Sequence, residues 1–208
     1  NFKEQTTKLK SVIEHGKPTI KSKFTELLLS HYSIEQLYGK SIKDKRGGKN
    51  NIHSWDIELK GIVSDEQKKL LNQLFKERRK KRWAEEFGID WMDGMPLTLQ
   101  QISTFNNHEN LEEILEDLVK KGYLKKEHPK RLVKETDLLG ETRTVRQQDP
   151  TLPLGYNIVS GKLSFEVNKV LCPNEIAPTL VAMDMKKLFV ADNEGIRTLT
   201  LTEGLKLF

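Results

Sequence analysis

Residues 96–127, "PLTLQQISTFNNHENLEEILEDLVKKGYLKKE", contain the clearest supersecondary pattern of the chain. Thr98 and Asn110 are suitable N-caps for two short helices, and Gly122 is suited to end the second helix. Apolar residues recur every three or four positions after Asn110, as they do along one face of a helix. Two helices joined by a turn and followed by a strand from Tyr123 are the outline of a winged helix. The stretch therefore predicts a winged-helix-like unit.

The sequence on either side of this unit differs in type. Residues 64–88 predict a longer helix, with Ser64 as N-cap and an apolar stripe that packs on a core. The stripe consists of Leu70, Leu71, Leu74 and Phe75. Further along, helical periodicity disappears, proline and glycine become frequent, and short β-rich runs follow. We therefore predict an α+β fold with a mainly helical half, residues 1–130, that includes the winged-helix-like unit, and a small strand-rich half, residues 131–208, that ends in the start of a helix.

The composition limits the class of protein. The 208 residues are 36% hydrophobic and 31% charged, which is enough apolar material for one modest core or two small ones. Basic residues exceed acidic ones by 35 to 30, so the net charge of +5 favours polyanionic partners, nucleic acid first. A single cysteine, Cys172, excludes a disulfide framework and a cysteine-rich zinc site and indicates a reducing, cytoplasmic location. No apolar run is long enough to cross a membrane, so we expect no membrane partner.

A basic loop is the first candidate for DNA contact. Residues 39–55, "GKSIKDKRGGKNNIHSW", have no usable apolar period and carry a Gly-Gly pair. Lysine and arginine neutralise phosphates, glycine lets the backbone come close, and arginine or asparagine reads base edges. The candidate DNA-binding residues of the loop are Lys40, Lys43, Lys45, Arg46, Lys49, Asn50 and Asn51. The alternative is a solvated loop without a ligand.

The second helix of the winged-helix-like unit is a poor candidate for DNA contact. Its carboxylates would repel phosphates, which favours packing or contact with another protein surface. These carboxylates belong to Glu109, Glu112, Glu113, Glu116 and Asp117. The basic run "ERRKKRW", residues 77–83, spreads its cations around more than half of a helix, so a single docking face is not forced. Contact with DNA and a helix exposed on several sides stay equally open for this run.

The last fourteen residues, 195–208, read "GIRTLTLTEGLKLF". They predict an edge strand that runs into a helix, with Thr200 as a cap candidate and Glu203 near the positive helix end. The order R-x-L-T-x-x-E-x-x-x-L resembles the ninth conserved motif of the DNA cytosine-5 methyltransferases. Upstream, "APTLVAMD" resembles the segment that closes the target recognition domain of that family, with its Thr-Leu pair at Thr179 and Leu180.

The resemblance implies the target recognition domain of a bacterial restriction-modification enzyme. Thr179 and Leu180 are then expected near the flipped nucleotide, and Arg197 is expected to help join this domain to its catalytic partner. The apolar residues at the end of the sequence have no evident partner within the chain, so we expect the catalytic domain to cover them. The expected interdomain residues are Arg197, Thr200, Glu203, Leu205, Leu207 and Phe208.

Catalytic motifs of the family are absent from these 208 residues. The family uses a Pro-Cys nucleophile, a Glu-Asn-Val segment and an F-x-G-x-G loop that holds S-adenosylmethionine. Cys172 precedes its proline instead of following it. We therefore expect no catalytic residue and no cofactor in this chain, S-adenosylmethionine in the parent enzyme, and no methylation by the chain alone. The expected partners are double-stranded DNA and the catalytic domain of its own full-length enzyme, and the expected state is a monomer.

Two other classes of function stay open. A winged-helix DNA-binding regulator would normally show a dimer interface and a palindromic site. A metal-dependent DNA nuclease is indicated only by Glu166, three residues before Lys169, without an identifiable upstream aspartate. The histidines are scattered, with no pair at the spacing of a helical metal site, so we predict no metal ligands.

Overall fold

The computed structural model describes residues 8–44, 50–136, 140–159, 165–179 and 185–207. These residues form a mixture of helices and strands, in agreement with the predicted α+β class. The α-helices are α1 (Lys23–His31), α2 (Ile34–Leu37), α3 (Asp65–Glu77), α4 (Arg82–Glu86), α5 (Leu99–Ser103), α6 (Leu111–Lys120) and α7 (Leu201–Lys206). The strands are β1 (Ser41–Ile42), β2 (Asn51–Ile52), β3 (Leu124–Glu127), β4 (Lys130–Thr136), β5 (Thr142–Gln148), β6 (Gly155–Ile158), β7 (Lys169–Val170), β8 (Leu188–Asp192) and β9 (Gly195–Thr198). None of the described helices is long and apolar enough to span a membrane.

The chain folds as two compact units. Unit 1 is built from Asn1–Leu59 together with Gly161–Phe208, and unit 2 is the continuous segment Lys60–Ser160. The division near residue 130 was predicted from a change in sequence composition. The compact units divide elsewhere, after Leu59 and after Ser160. The reason is that strands on both sides of residue 130, β3 and β6, pair with each other inside unit 2.

Unit 1 is held together by backbone pairing between distant parts of the sequence. Its sheet has the order β7-β8-β9, with β7 parallel and β9 antiparallel to β8. The amide of Ile20 donates to the carbonyl of Ile196 at 2.9 Å, and the amide of Ile42 donates to that of Asn168 at 2.9 Å. The N-terminal helices thereby pack on strands from the other end of the chain. Their shared core consists of Phe24, Leu28, Leu37, Ile42, Ile52, Ile57, Phe165, Val167, Val170, Phe189 and Ile196.

The first helix of unit 2 is shorter than the sequence predicted. The Ser64 cap and the buried stripe of α3 are confirmed, but α3 ends at Glu77 and α4 begins at Arg82. At the interruption, donors from further along the chain occupy the carbonyls of Glu77 and Arg78. The indole nitrogen of Trp83 donates to the carbonyl of Glu77 at 2.8 Å, and the amide of Met95 donates to that of Arg78 at 2.8 Å.

The rest of unit 2 follows the predicted order of two helices and a strand. Thr98 caps α5 in a reciprocal bond with Gln101, whereas the side chain of Asn110 makes no cap bond at the start of α6. After α6, β3 pairs antiparallel with β6, and the other edge of β6 meets Leu97 through an antiparallel bridge at Tyr156. Between β3 and β6 the chain makes the β4–β5 hairpin, which is a two-stranded sheet of its own.

Candidate nucleic-acid interface

Strands β1 and β2 hold the two ends of the basic loop side by side. They are parallel, with Ser41 opposite Asn51. The amide of Ser41 donates to the carbonyl of Asn50 at 2.8 Å, and the amide of Lys43 donates to that of Ile52 at 3.0 Å. Backbone hydrogen bonds between β1 and β2 therefore fix the base of the loop. Three of the predicted DNA-binding residues lie outside the described residues: Lys45, Arg46 and Lys49.

The single acid of the basic stretch, Asp44, is buried at this base. Its Oδ1 accepts a hydrogen bond from the amide of Ser54 at 2.8 Å and lies 3.6 Å from Nδ1 of His53. The imidazole of His53 stacks on Trp55 with ring centroids 4.5 Å apart. Asp44 is thus an internal anchor of the loop. Its carboxylate is turned into the protein and is not part of the surface of the loop.

The described candidates of the loop differ in exposure. Lys43 and Asn50 are exposed, whereas Lys40 and Asn51 are half-buried. The ammonium group of Lys40 lies over the ring of Tyr32, 5.0 Å from its centroid, which is a cation–π distance. The structure therefore brings these four candidates together around β1 and β2.

The Thr-Leu pair taken from the family resemblance is described only in part. Thr179 is exposed and lies in a segment without regular secondary structure. Leu180 lies outside the described residues. Their expected place near a flipped nucleotide stays a prediction.

Arg197 is the centre of a buried charge network in unit 1. Its guanidinium is 3% exposed and donates to Oδ2 of Asp192 at 2.9 Å. It also donates to both carboxylate oxygens of Glu203, at 2.8 and 2.9 Å, and to the carbonyl of Glu14 at 2.6 Å. The amide of Thr200 donates to Glu203 at 2.6 Å, which completes a capping box at the start of α7. The three residues at the spacing R-x-x-T-x-x-E therefore belong to one hydrogen-bond network.

This network bears on the expected interdomain residues. Arg197 and Glu203 are buried and face each other within unit 1, and Thr200 caps α7. Their side chains are occupied inside the unit, so any role at a domain boundary acts through the position of α7. The interdomain role itself stays a prediction.

The network lowers the pKa of the Asp192 and Glu203 carboxylates. Burial by itself raises the pKa of Glu203, but hydrogen bonds from Arg197 and from the amides of Thr200 and Glu14 outweigh it and lower the pKa to about 2. For Asp192, the hydrogen bond from Arg197 is the main cause that lowers the pKa, also to about 2. Both groups raise the pKa of the Arg197 guanidinium in return, by hydrogen bonding and by their charge. All three side chains are charged at neutral pH.

Unit 1 is therefore expected to lose stability in acid. The folded-state pKa values of Asp192 and Glu203 lie below the ordinary values of 3.8 and 4.5. Their stabilisation is present above the ordinary values and is lost as the pH falls from the ordinary values toward 2. Urea unfolding at pH 7 and pH 3 should give a lower midpoint at pH 3, and Arg197→Met should flatten this difference. An equal pH dependence in both proteins would contradict the assignment.

Helix α7 presents an apolar pair to solvent. Leu201 is 76% exposed and Leu205 is 67% exposed, and the two lie one helical turn apart. Leu205 is one of the expected interdomain residues, and its contact with a catalytic domain stays a prediction. Leu207 is different, because it packs against the core cluster around Leu9. The remaining predicted residue, Phe208, lies outside the described residues.

Leu201 was missed by the sequence analysis. The residue faces solvent beside Leu205, and the i, i+4 spacing from Leu205 was the available signal.

The basic run at residues 77–83 is largely engaged within unit 2. Arg78 is buried and donates to Oδ1 of Asn157 at 2.5 Å. Burial is the main cause that lowers its pKa, to about 10. Three further cations of the run have carboxylate partners, in the pairs Arg79–Asp93, Lys80–Glu77 and Arg82–Glu77. Most cations of the run therefore bond to other residues of unit 2.

Groups relevant to a nuclease or a nucleophile are spread out. Among the described residues, no three histidine, cysteine, aspartate or glutamate side chains are grouped so as to hold a metal ion. Glu166 accepts a hydrogen bond from the hydroxyl of Ser22 at 2.5 Å. Cys172 is a free, half-buried thiol.

Sequence comparison identifies the relatives of the chain. It is 62% identical over 201 residues to the type II methyltransferase M.NlaIV of Neisseria lactamica, a match that covers 97% of this chain and 45% of that protein. Its relatives are type II methyltransferases. M.NgoBV of Neisseria gonorrhoeae is 60% identical over 97% of this chain and 45% of its own length. The more distant M.BanI of Aneurinibacillus aneurinilyticus is 34% identical over 99% of this chain and 42% of its own length.

The three matches cover a similar share of each relative's length. The chain spans slightly less than half the length of the curated relatives it matches. No protein-family profile and no solved structure matches it. The methyltransferase part of the resemblance is therefore supported by relatives that match nearly the whole chain.

Proposed function

We propose that this chain is the target recognition domain of a DNA cytosine-5 methyltransferase of a restriction-modification system. In the parent enzyme it holds duplex DNA opposite the catalytic domain and selects the sequence to be methylated. The observation that carries the proposal is the R-x-L-T-x-x-E motif, in which Arg197 and Thr200 each donate hydrogen bonds to Glu203. It is supported by the type II methyltransferases that match the chain over about half of their length.

The division of labour follows from the sequence. Without a Pro-Cys nucleophile, a Glu-Asn-Val segment and an F-x-G-x-G loop, the chain has none of the groups with which the family activates cytosine and holds its methyl donor. The other half of the parent enzyme therefore supplies the catalytic residues and binds S-adenosylmethionine. The chain acts as a monomer in the cytoplasm and has two partners, double-stranded DNA and the catalytic domain of its own enzyme. The exposed pair Leu201 and Leu205 contributes to the contact with that domain.

The basic loop of unit 1 is the proposed phosphate-binding segment. Its base is held by the pairing of β1 and β2, its one acid, Asp44, is buried, and Lys43 is exposed beside it. Lysines of the loop neutralise phosphates, and Arg46 or the asparagines reach base edges. Thr179 and Leu180 lie near the flipped nucleotide, on the strength of the resemblance.

Unit 2 is the proposed winged-helix module. Support comes from the order of α3, α5 and α6 followed by β3, a hairpin and β6, and from the bridge that places Leu97 beside β6. The acidic α6 does not read DNA. Glu116 is bonded to Lys126 and to the hydroxyl of Tyr156, at 2.5 and 2.6 Å, so it serves packing within the unit.

The proposal is tested by selecting bound sequences from randomised duplexes with the purified chain. A short enriched motif that contains a cytosine, with affinity that falls steeply as salt rises, is the expected result. The chain should transfer no methyl group from labelled S-adenosylmethionine to the selected duplex. Absence of binding at low salt would contradict the proposed function.

Neutralising the basic loop should weaken DNA binding. The triple variant Lys45→Ala, Arg46→Ala and Lys49→Ala removes up to three phosphate contacts, which should lower the affinity roughly tenfold or more and reduce the salt slope by about 2 to 3. Fluorescence anisotropy at several salt concentrations measures both quantities.

A matched control removes three exposed lysines of unit 1 that lie outside the loop. These are Lys10, Lys21 and Lys23, each replaced by alanine. The control changes the net charge equally and should alter the affinity less than the loop variant does. An equal loss in the two triple variants would show that only the total charge matters.

A further inference from the structure

The β4–β5 hairpin of unit 2 separates its charges onto two faces. Its register runs from Lys130 opposite Gln148 to Thr136 opposite Thr142, and paired residues project to the same side of the ribbon. The open face, defined by the even-numbered residues, consists of Lys130, Leu132, Lys134, Thr136, Thr142, Thr144, Arg146 and Gln148. The paired face, defined by the odd-numbered residues, consists of Arg131, Val133, Glu135, Arg143, Val145 and Gln147.

Cations of the paired face are matched by acids. Arg131 bonds to Asp149 just beyond the strand, and Arg143 lies 3.9 Å from Glu135. Gln147 also donates to Glu135. The two arginines and the two acids therefore cancel in charge, and the valines between them are half-buried.

The open face has three cations and no acid. Apart from Lys130, which is half-buried, its residues are exposed. Lys130 and Lys134 have no carboxylate partner within the described part of the chain, and Arg146 donates to the carbonyl of Trp91 at 2.9 Å. Leu132, 42% exposed, lies between them and opposite Arg146. Threonine hydroxyls fill the far end of this face, where Thr136 and Thr142 lie 3.1 Å apart.

This arrangement fits the surface of a nucleic-acid duplex. Side chains two residues apart on one face are roughly 6.6 Å apart along a strand. Lys130 and Lys134 are therefore about 13 Å apart, so each reaches a different phosphate of a B-form strand, where charges recur about every 3.4 Å. A two-stranded ribbon of this kind also fits the major groove, where hydroxyls bond to base edges and an apolar side chain meets thymine methyl groups.

We propose that the open face of the β4–β5 hairpin is a second DNA-contacting surface of this chain, separate from the basic loop. The inference rests on the proposed function, since it takes duplex DNA as the ligand. Lys130 and Lys134 bind phosphates, and the threonines with Leu132 lie against the groove. Within unit 2 this makes the hairpin, and not the acidic α6, the element that contacts DNA.

The test compares two double variants of the 208-residue chain. Lys130→Gln with Lys134→Gln removes two cations from the open face, and Arg131→Gln with Arg143→Gln removes two from the paired face of the same hairpin. Anisotropy titrations with a duplex selected by the wild-type chain give the dissociation constant and its salt dependence, and thermal unfolding checks each fold. A third variant, Lys130→Arg with Lys134→Arg, keeps the charge.

The open-face variant should bind about tenfold more weakly, with a salt slope reduced by about 1 to 2. The paired-face variant and the arginine variant should stay within about twofold of the wild type, because their charge at the DNA is unchanged. An equal loss in both glutamine variants, or no loss in either while the wild type binds, would overturn the hairpin site and leave the proposed function standing. Failure of the wild-type chain to bind DNA at low salt would overturn both.

Discussion

Replacing Arg197 with methionine should lower the free energy of unfolding of unit 1 by about 3 to 5 kcal/mol, the range seen when one partner of a buried ion pair is removed. Methionine leaves the buried carboxylate of Glu203 without its cation and deprives Asp192 and the carbonyl of Glu14 of a donor. The melting temperature should fall by roughly 10 °C or more, because each kcal/mol shifts it by several degrees in a domain of this size. Thermal and urea unfolding followed by circular dichroism measure the effect.

Two controls separate this effect from a general loss of charge. Arg197→Lys keeps the cation but not the planar geometry that serves both carboxylate oxygens, so its loss should be intermediate. Arg143→Met removes an exposed arginine and should change the stability by less than about 0.5 kcal/mol. If Arg197→Met melted within two or three degrees of the wild type, the network would not be what secures α7.

Gly155→Ala should destabilise unit 2 by about 2 to 3 kcal/mol, in the upper range for overpacking at a closely packed site. A Cβ at this position would lie 2.8 to 2.9 Å from the backbone of Leu97. That backbone cannot move away without cost, because Leu97 and Tyr156 exchange two hydrogen bonds of 3.0 and 2.7 Å. The expected result is a lower unfolding midpoint for unit 2 by urea titration.

The matched control is Gly204→Ala in α7. There the added methyl group meets only the end of a flexible side chain, Cε of Met185, at 2.6 Å. Alanine also favours a helix over glycine by about 1 kcal/mol, so the two effects offset each other and the net change should be within about 1 kcal/mol. Equal destabilisation by the two substitutions would contradict the close strand packing at Gly155.

Local elements were predictable from the sequence because their causes lie within a few residues. The caps at Ser64, Thr98 and Thr200 follow from side chains that reach the backbone three positions away. The buried stripe of α3 follows from helical spacing. The end of α3 did not, since its last carbonyls are taken by Trp83 and by Met95, the latter far along the chain.

The sequence allowed the motifs of the candidate site to be recognised, but not which of their side chains are buried. The basic loop and the R-x-L-T-x-x-E motif could be recognised, but composition counted Asp44 against the lysines, and only its burial shows that it is an internal anchor. The same holds for Arg78, which counts as a surface cation in the sequence and is buried beside Asn157. The two faces of the hairpin could not be predicted from the sequence, because the register decides which residues of β5 share a face with those of β4.

The division of the chain also sets an order of folding. Unit 2 is one uninterrupted segment, and all of it has been synthesised before β7, β8 and β9 exist. Unit 1 closes only when its first 59 residues meet strands that lie more than a hundred residues downstream. Loops of that length close slowly, and domains fold as units while the chain emerges. On the ribosome, unit 2 is therefore complete before the strands that close unit 1 have been synthesised.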